Sequence, residues 1–141
     1  MAVTVSLYNH TSKLLLERGI GDTYKVRLVS AGSFNATHTT LSGTGATEVT
    51  QANGYTTGGA TLANITVSTV TTNDAKWDAD DVTWNASGGT IVAIAAQLYN
   101  STVANSPPLA WIDFGETKTA AAGTPFQIIW DANGIFSGVV A

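Results

Sequence analysis

The amino-acid sequence predicts an all-β fold: an antiparallel β-sandwich, barrel-like in outline, with at most one short N-terminal helix. Three observations lead there. Residues 90–99 (TIVAIAAQLY), 108–114 (PLAWIDF) and 126–130 (FQIIW) are strand-length apolar runs rich in Ile, Val, Trp, Tyr and Phe. Turn-forming residues separate them at 85–89, 100–107 and 115–124. Asn133-Gly134, between FQIIWD and IFSGVV, is the strongest short-range hairpin signal in the chain. The stretch 81–136 that holds these features organises the rest of the chain.

The run 90–99 is apolar on both faces. Strict alternation places Val92, Ile94, Ala96 and Leu98 on one side, and Ile91, Ala93, Ala95 and Tyr99 on the other. Such a strand is expected to be covered on both sides. The expected core comprises Val92, Ile94, Leu98, Ile112, Phe114, Ile128, Trp130 and Phe136.

Before this stretch the elements are shorter. Residues 2–8 alternate, with Val3, Val5 and Leu7 opposed to Thr4, Ser6 and Tyr8, and read as a short strand or an extended arm over 1–8. Residues 12–18 (SKLLLER), with Asn9 or Thr11 as cap and Gly19 as terminator, predict two turns of helix. Residues 24–30 (YKVRLVS) predict a half-exposed strand. Residues 31–55 are polar and rich in Gly and Thr, and read as a long loop with a turn of helix near Leu41. Residues 60–72 read as one long strand, 73–81 as an acidic turn containing Trp77, and 81–85 as a short strand carrying Trp84. There is no internal repeat and no linker, so 1–141 reads as a single β-sandwich domain, long enough for a real core.

Composition narrows the function classes. Only 11% of residues are charged, far below the usual quarter. A low-charge, Thr-rich surface suits exposed strands, and equally suits packing against copies of itself. Net charge is −4 and the six basic residues are dispersed, which argues against nucleic acid as a partner. Without cysteine there is no disulfide framework and no thiolate metal site. The first residues do not read as a secretory signal, and no apolar run reaches the ~20 residues that cross a bilayer, so no membrane association is expected and synthesis in a cytoplasm is.

The chemistry-bearing residues form no recognisable constellation. Asp78 and Asp80 have the spacing that opens an EF-hand loop, but the glycine and the closing glutamate of that ladder are missing, so a solvated acidic turn is the plainer reading of Asp74, Asp78, Asp80 and Asp81. His10 and His38 have no partners that sequence spacing supplies. No G-x-S-x-G elbow is present, and neither Gly43-Thr44-Gly45 nor Gly58-Gly59 leads into a phosphate-binding loop. Trp77, Trp84, Trp111 and Trp130 could line a sugar site or sit in the core; Trp77, flanked by charge, is the one whose exposure is open. No catalytic, cofactor-binding or metal-binding residue is therefore assigned, and no cofactor is implied.

Several segments in order, SLYNHTSKLLLERG, YKVRLVS, FNATHTTLSGTGATEV, GYTTGGATLAN, DADDVTWNASGGTIVAIAAQLYN, PLAWIDFGE and FQIIWDANGIF, make the chain resemble small virion structural proteins of tailed bacteriophages. The likeness runs from Ser6 to Phe136 and lies in the order of the pieces, none of which is a catalytic motif. The resemblance implies a role in assembly rather than catalysis, as a capsid decoration or cement protein that stabilises the head. The alternatives are a tail, neck or fibre component and, from a different class, a carbohydrate-binding module. The partners it implies are copies of itself in a homo-oligomer, with a trimer favoured, and the major capsid protein or other virion proteins. Residues 1–8, able to add a strand to a neighbour's sheet, and the loop 31–55 are the expected contact elements.

Overall fold

A computed structural model describes residues 3–70 and 74–138. Its largest sheet is built on β2 (Tyr24–Ala31), β8 (Ile91–Asn100) and β9 (Pro108–Ala120). The N-terminal strand β1 (Thr4–Leu7) joins the outer side of β9, and the two-residue strands β3 (Thr47–Glu48) and β4 (Ala60–Thr61) both pair with β2. Two smaller sheets complete the fold: β7 (Val82–Asn85) with β10 (Pro125–Ile128), and β5 (Thr66–Thr69), β6 (Ala75–Asp78) and β11 (Phe136–Gly138) in the order β11-β6-β5. Every pairing is antiparallel. With 45% strand and 8% helix, the predicted all-β class is observed; the sheets do not close into a barrel.

One buried cluster ties the sheets together, as a sandwich requires. Tyr24, Leu28, Ile91, Leu98, Ile112 and Phe114 of the large sheet meet Val82, Trp84, Phe126 and Ile128 of one small sheet, and Trp77 and Phe136 of the other. On the opposite face of the large sheet a second cluster gathers Tyr8, Val29, Ala95 and Trp111 beneath Phe34, Ala46 and Ile94. The doubly apolar run is thus covered on both sides from Ile94 onward, while Val92 stays exposed.

The helix α1 (Thr11–Arg18) forms where predicted and ends at Gly19 (φ 56°). Its N-cap is His10 rather than Asn9 or Thr11, and no side chain caps it. His10 and Thr11 instead bind the start of β9: His10 Nε2 donates to Pro108 O at 2.6 Å and Thr11 Oγ1 to Leu109 O at 2.6 Å.

Several boundaries differ from the sequence reading. Residues 115–124 are not simply a turn, because β9 runs on through Gly115 to Ala120. Gly115 (φ 76°) lies where the β8–β9 register jumps, from Ala93↔Lys118 to Ala95↔Asp113. That jump moves the pairing by an odd number of residues, so one strand must switch faces. Strand β9 keeps its parity, with Ile112, Phe114 and Ala120 all inward, and β8 switches: Ile91 and Ala93 face the main core, then Ala96 and Leu98 do. Val92 is consequently 39% exposed and Ile94 only half-buried on the other side, so two of the eight expected core residues are misplaced. Trp130 is a third, half-buried beyond the end of β10, while Leu98, Ile112, Phe114, Ile128 and Phe136 are buried as expected.

The long strand expected over 60–72 breaks at Asn64, whose φ of 53° is incompatible with a strand; residues 71 and 72 lie outside the described residues. The acidic turn expected over 73–81 is largely strand β6. Asn133-Gly134 makes a turn, closed by Gly134 N–H donating to Asp131 O at 2.9 Å, but not a hairpin: β10 pairs with β7, and β11 with β6. Residues 139–140, which end the run IFSGVV after this turn, lie outside the described residues.

Candidate interaction surface

Alternation in β1 gives its two faces different fates. Tyr8, one residue beyond the strand, enters the second cluster and packs edge-on against Phe34 at 5.0 Å. Val3, Val5 and Leu7 point the other way and stay about half exposed, Val5 at 50%. Of the two readings of 1–8, strand or arm, Thr4–Leu7 takes the first: it is an integral strand of its own sheet, in unbroken register with β9 from Thr4↔Asp113 to Leu7↔Ala110, and residues 1–2 lie outside the described residues.

Val3 and Val5 form one bank of a groove of about 550 Å³. Its floor is Ala110, Ile112 and Phe114 of β9, and its far bank is Phe126 and Ile128 of β10 followed by Ile129, Trp130 and Ile135. The groove is the open mouth of the sandwich, where the edge of the large sheet and the edge of the β7–β10 pair stand apart. Ile129, 70% exposed, lies on its rim. Trp130 is held there by two hydrogen bonds: its backbone N–H donates to Asp81 Oδ1 at 2.9 Å and its indole Nε1–H to Asp80 O at 3.0 Å.

The acidic residues serve the chain's own turns. Asp81 accepts from Trp130, Asp80 Oδ2 from Asn64 Nδ2 at 2.6 Å, and Asp78 pairs with Lys76 at 3.4 Å. Among the described residues no group of three or more His, Asp or Glu is placed to hold a metal ion. His10 donates from its ring to the Pro108 carbonyl, and the buried Nδ1 of His38 has no hydrogen-bond partner among the described residues.

The tryptophans are likewise committed. Trp77 is buried in β6, donates from Nε1 to Gly19 O at 3.2 Å and packs against Tyr24 and Phe136 at 5.0 and 5.4 Å. Trp84 and Trp111 are buried as well. The ring whose exposure the sequence left open is thus not presented to a sugar, and Trp130 alone of the four is only half-buried.

A polar network crosses from β2 to the segment 47–59. Arg27 Nε donates to Gln97 Oε1 at 2.8 Å, and its Nη1 lies 3.8 Å from Glu48 Oε2. Glu48 Oε1 accepts from Tyr55 Oη at 2.7 Å and from Gly58 N–H at 2.6 Å, while Tyr55 Oη accepts from Leu28 N–H at 3.0 Å. Burial, and after it the hydrogen bond to Glu48, raises the Tyr55 pKa far above its ordinary range, so the phenol stays protonated. Each polar group is satisfied by a neighbour in the chain, and the network's effect is to pin the second half of the expected loop 31–55 onto the sheet. That stretch is structured: β2 reaches Ala31, a 3₁₀ turn spans Ser42–Thr44, and β3 follows.

No family model, curated protein or solved structure matches the chain. The surface has to be read from its own chemistry. The sequence reading finds the alternation in β1 but assigns neither face; Tyr8 enters the second cluster, while Val5, opposite Ile112 on the main-core face, stays at the rim of that core, which no local pattern announces. Ile129 carried a weak signal, since two adjacent large apolar residues at the end of a strand cannot both point inward.

Proposed function

We propose that this protein is a structural component of a tailed-bacteriophage virion, acting as a capsid decoration or cement protein that stabilises the head. Its partners on this reading are copies of itself in a closed homo-oligomer, and the major capsid protein or other virion proteins. It works by contact rather than catalysis, and its place is the assembled particle. The single observation that carries the reading is the uncharged edge strand β1, whose Val3, Val5 and Leu7 lie exposed beside a mainly apolar groove that Lys118 and Asp131 also line. The strand edge itself can be covered with little cost for desolvating ions. The resemblance of the ordered sequence segments to small virion proteins supplies the context.

The test is to locate and count the chain in purified particles, by quantitative mass spectrometry against the major capsid protein and by reconstruction from electron micrographs. A copy number that scales with the capsomers, with density on the outside of the head, is the expected result. A small count in multiples of three or six, with density at the tail or neck, would move the protein there. Absence from the particle would end the virion reading.

A further inference from the structure

The geometry points to β1 as a two-fold docking edge: we infer that a second copy of this chain pairs its own β1 with it, antiparallel and centred on Val5. In an antiparallel ladder, successive residues alternate between those bonded to the neighbour and those turned away from it. Tyr8 N–H donates to Leu109 O at 3.2 Å, so Tyr8 is a bonded position, and with it Ser6 and Thr4. Leu7, Val5 and Val3 therefore turn their backbone N–H and C=O groups away from β9, toward the open edge. No other backbone group pairs with that edge among the described residues.

Proteins usually protect such an edge with a charge, a proline, a bulge or a covering segment. Among the described residues strand β1 has none of these: its sequence is TVSL, its register with β9 is unbroken, and its outward residues are about half exposed. The pattern is also self-complementary. Turned about a two-fold axis through Val5, Val5 faces Val5 of the second copy, and Val3 faces Leu7. All are outward positions, so the two strands exchange about six hydrogen bonds. The same rotation keeps both apolar rows on one face of the merged sheet and brings the two grooves side by side. Strand β1 carries no charged residue, so no like charges oppose each other within the paired strands. The contact is isologous, so it closes on itself as a dimer, in place of the trimer that the resemblance implies. It stands whether the particle location is head, tail or neither.

Sedimentation equilibrium of the full chain at micromolar concentration is expected to give a dimer; a monomer or a trimer overturns the inference. Val5→Pro removes an outward N–H that β9 does not use, a position where an edge strand tolerates proline. It is expected to be monomeric with an unchanged circular dichroism spectrum, and a dimer as stable as wild type overturns the inference. Should that variant fail to fold, Val5→Lys, which sets two ammonium groups opposite each other on an exposed site, decides in the same way. The register is read by cysteine linking in this cysteine-free chain. V5C places two sulfurs on the axis, where bonded partners have Cα atoms about 5.5 Å apart, within disulfide reach. V3C places them about 14 Å apart, out of reach. Oxidation is expected to cross-link V5C and leave V3C monomeric on a denaturing gel; equal linking of both, or of neither, overturns the pairing.

Discussion

Ala93 and Ala96 face the same core although they lie an odd number of residues apart on one strand. The cause is the register jump against β9 around Gly115, which obliges β8 to switch faces between them. Ile91, rather than Val92, then belongs to the core. Ile91→Ala is expected to cost about 2–5 kcal/mol, and Val92→Thr to change stability by no more than about 0.5 kcal/mol. Urea unfolding of the two variants checks this; the opposite order would restore the uninterrupted alternation.

This switch marks the boundary of what the sequence could tell. Runs of Ile, Val, Trp, Tyr and Phe announce strands wherever they lie, so β2, β8, β9 and β10 were legible, as was α1 with Gly19 behind it. Which face of β8 is inward depends on a bulge in its partner, and Gly115 alone does not say whether a strand turns back or kinks and continues. Asn133-Gly134 shows the same limit. Its local preference for a turn is real, but pairing across it is decided by which strands lie nearby, and β6 and β7 occupy those places. For the interaction surface, the alternation in β1 was visible, while its solvent-facing side is set by Phe34 and Trp111, distant in sequence.

Phe114 is buried against Phe126, with ring centroids 5.8 Å apart, and lies on the floor of the groove. It joins the large sheet to the β7–β10 pair. Phe114→Ala is expected to cost about 3–5 kcal/mol. A melting temperature equal to that of wild type would show that the two sheets do not depend on this contact.

Gly134 adopts φ 98°, and a Cβ there would stand 2.7 Å from Lys76 Cβ and 3.1 Å from Trp77 O. The turn therefore presses its backbone onto β6, and Ile135 N–H donates to Trp77 O at 2.9 Å beside it. Gly134→Val adds a clash to a backbone conformation that costs L-residues roughly 1–2 kcal/mol. The loss is expected to exceed that figure in denaturant unfolding and to weaken protection of the β6–β11 amides in hydrogen exchange. A variant as stable as wild type would mean that the turn shifts freely off β6.

Tyr55 Oη stands between Leu28 N–H and Glu48 Oε1. Tyr55→Phe leaves the buried Leu28 donor and one bond of Glu48 unmade, at an expected cost of about 1–3 kcal/mol. Because Glu48 lies in β3, the loss should appear as faster amide exchange over residues 47–59 than elsewhere in the sheet. Uniform exchange across the protein would show that the network does not hold this segment.

All four tyrosines, Tyr8, Tyr24, Tyr55 and Tyr99, are buried and have pKa values raised above the ordinary 10.0, with desolvation the largest cause for each. Their hydroxyls are engaged as phenols: Tyr24 Oη donates to Gly19 O at 2.7 Å and Tyr99 Oη to Gly58 O at 2.6 Å. Above about pH 10 the unfolded chain gives up these protons while the folded chain keeps them, so unfolding releases protons and alkali favours it. The stability they contribute is fully present below the unfolded value and is lost as pH rises through the window above it. Each tyrosine steepens the loss by at most ~1.4 kcal/mol per pH unit. An alkaline titration that follows tyrosinate absorbance and far-ultraviolet circular dichroism together is expected to show the phenols ionising with the unfolding transition, at a pH above their ordinary value. Reversible ionisation of all four near pH 10, with the strand signal unchanged, would mean that water reaches these rings in the folded protein.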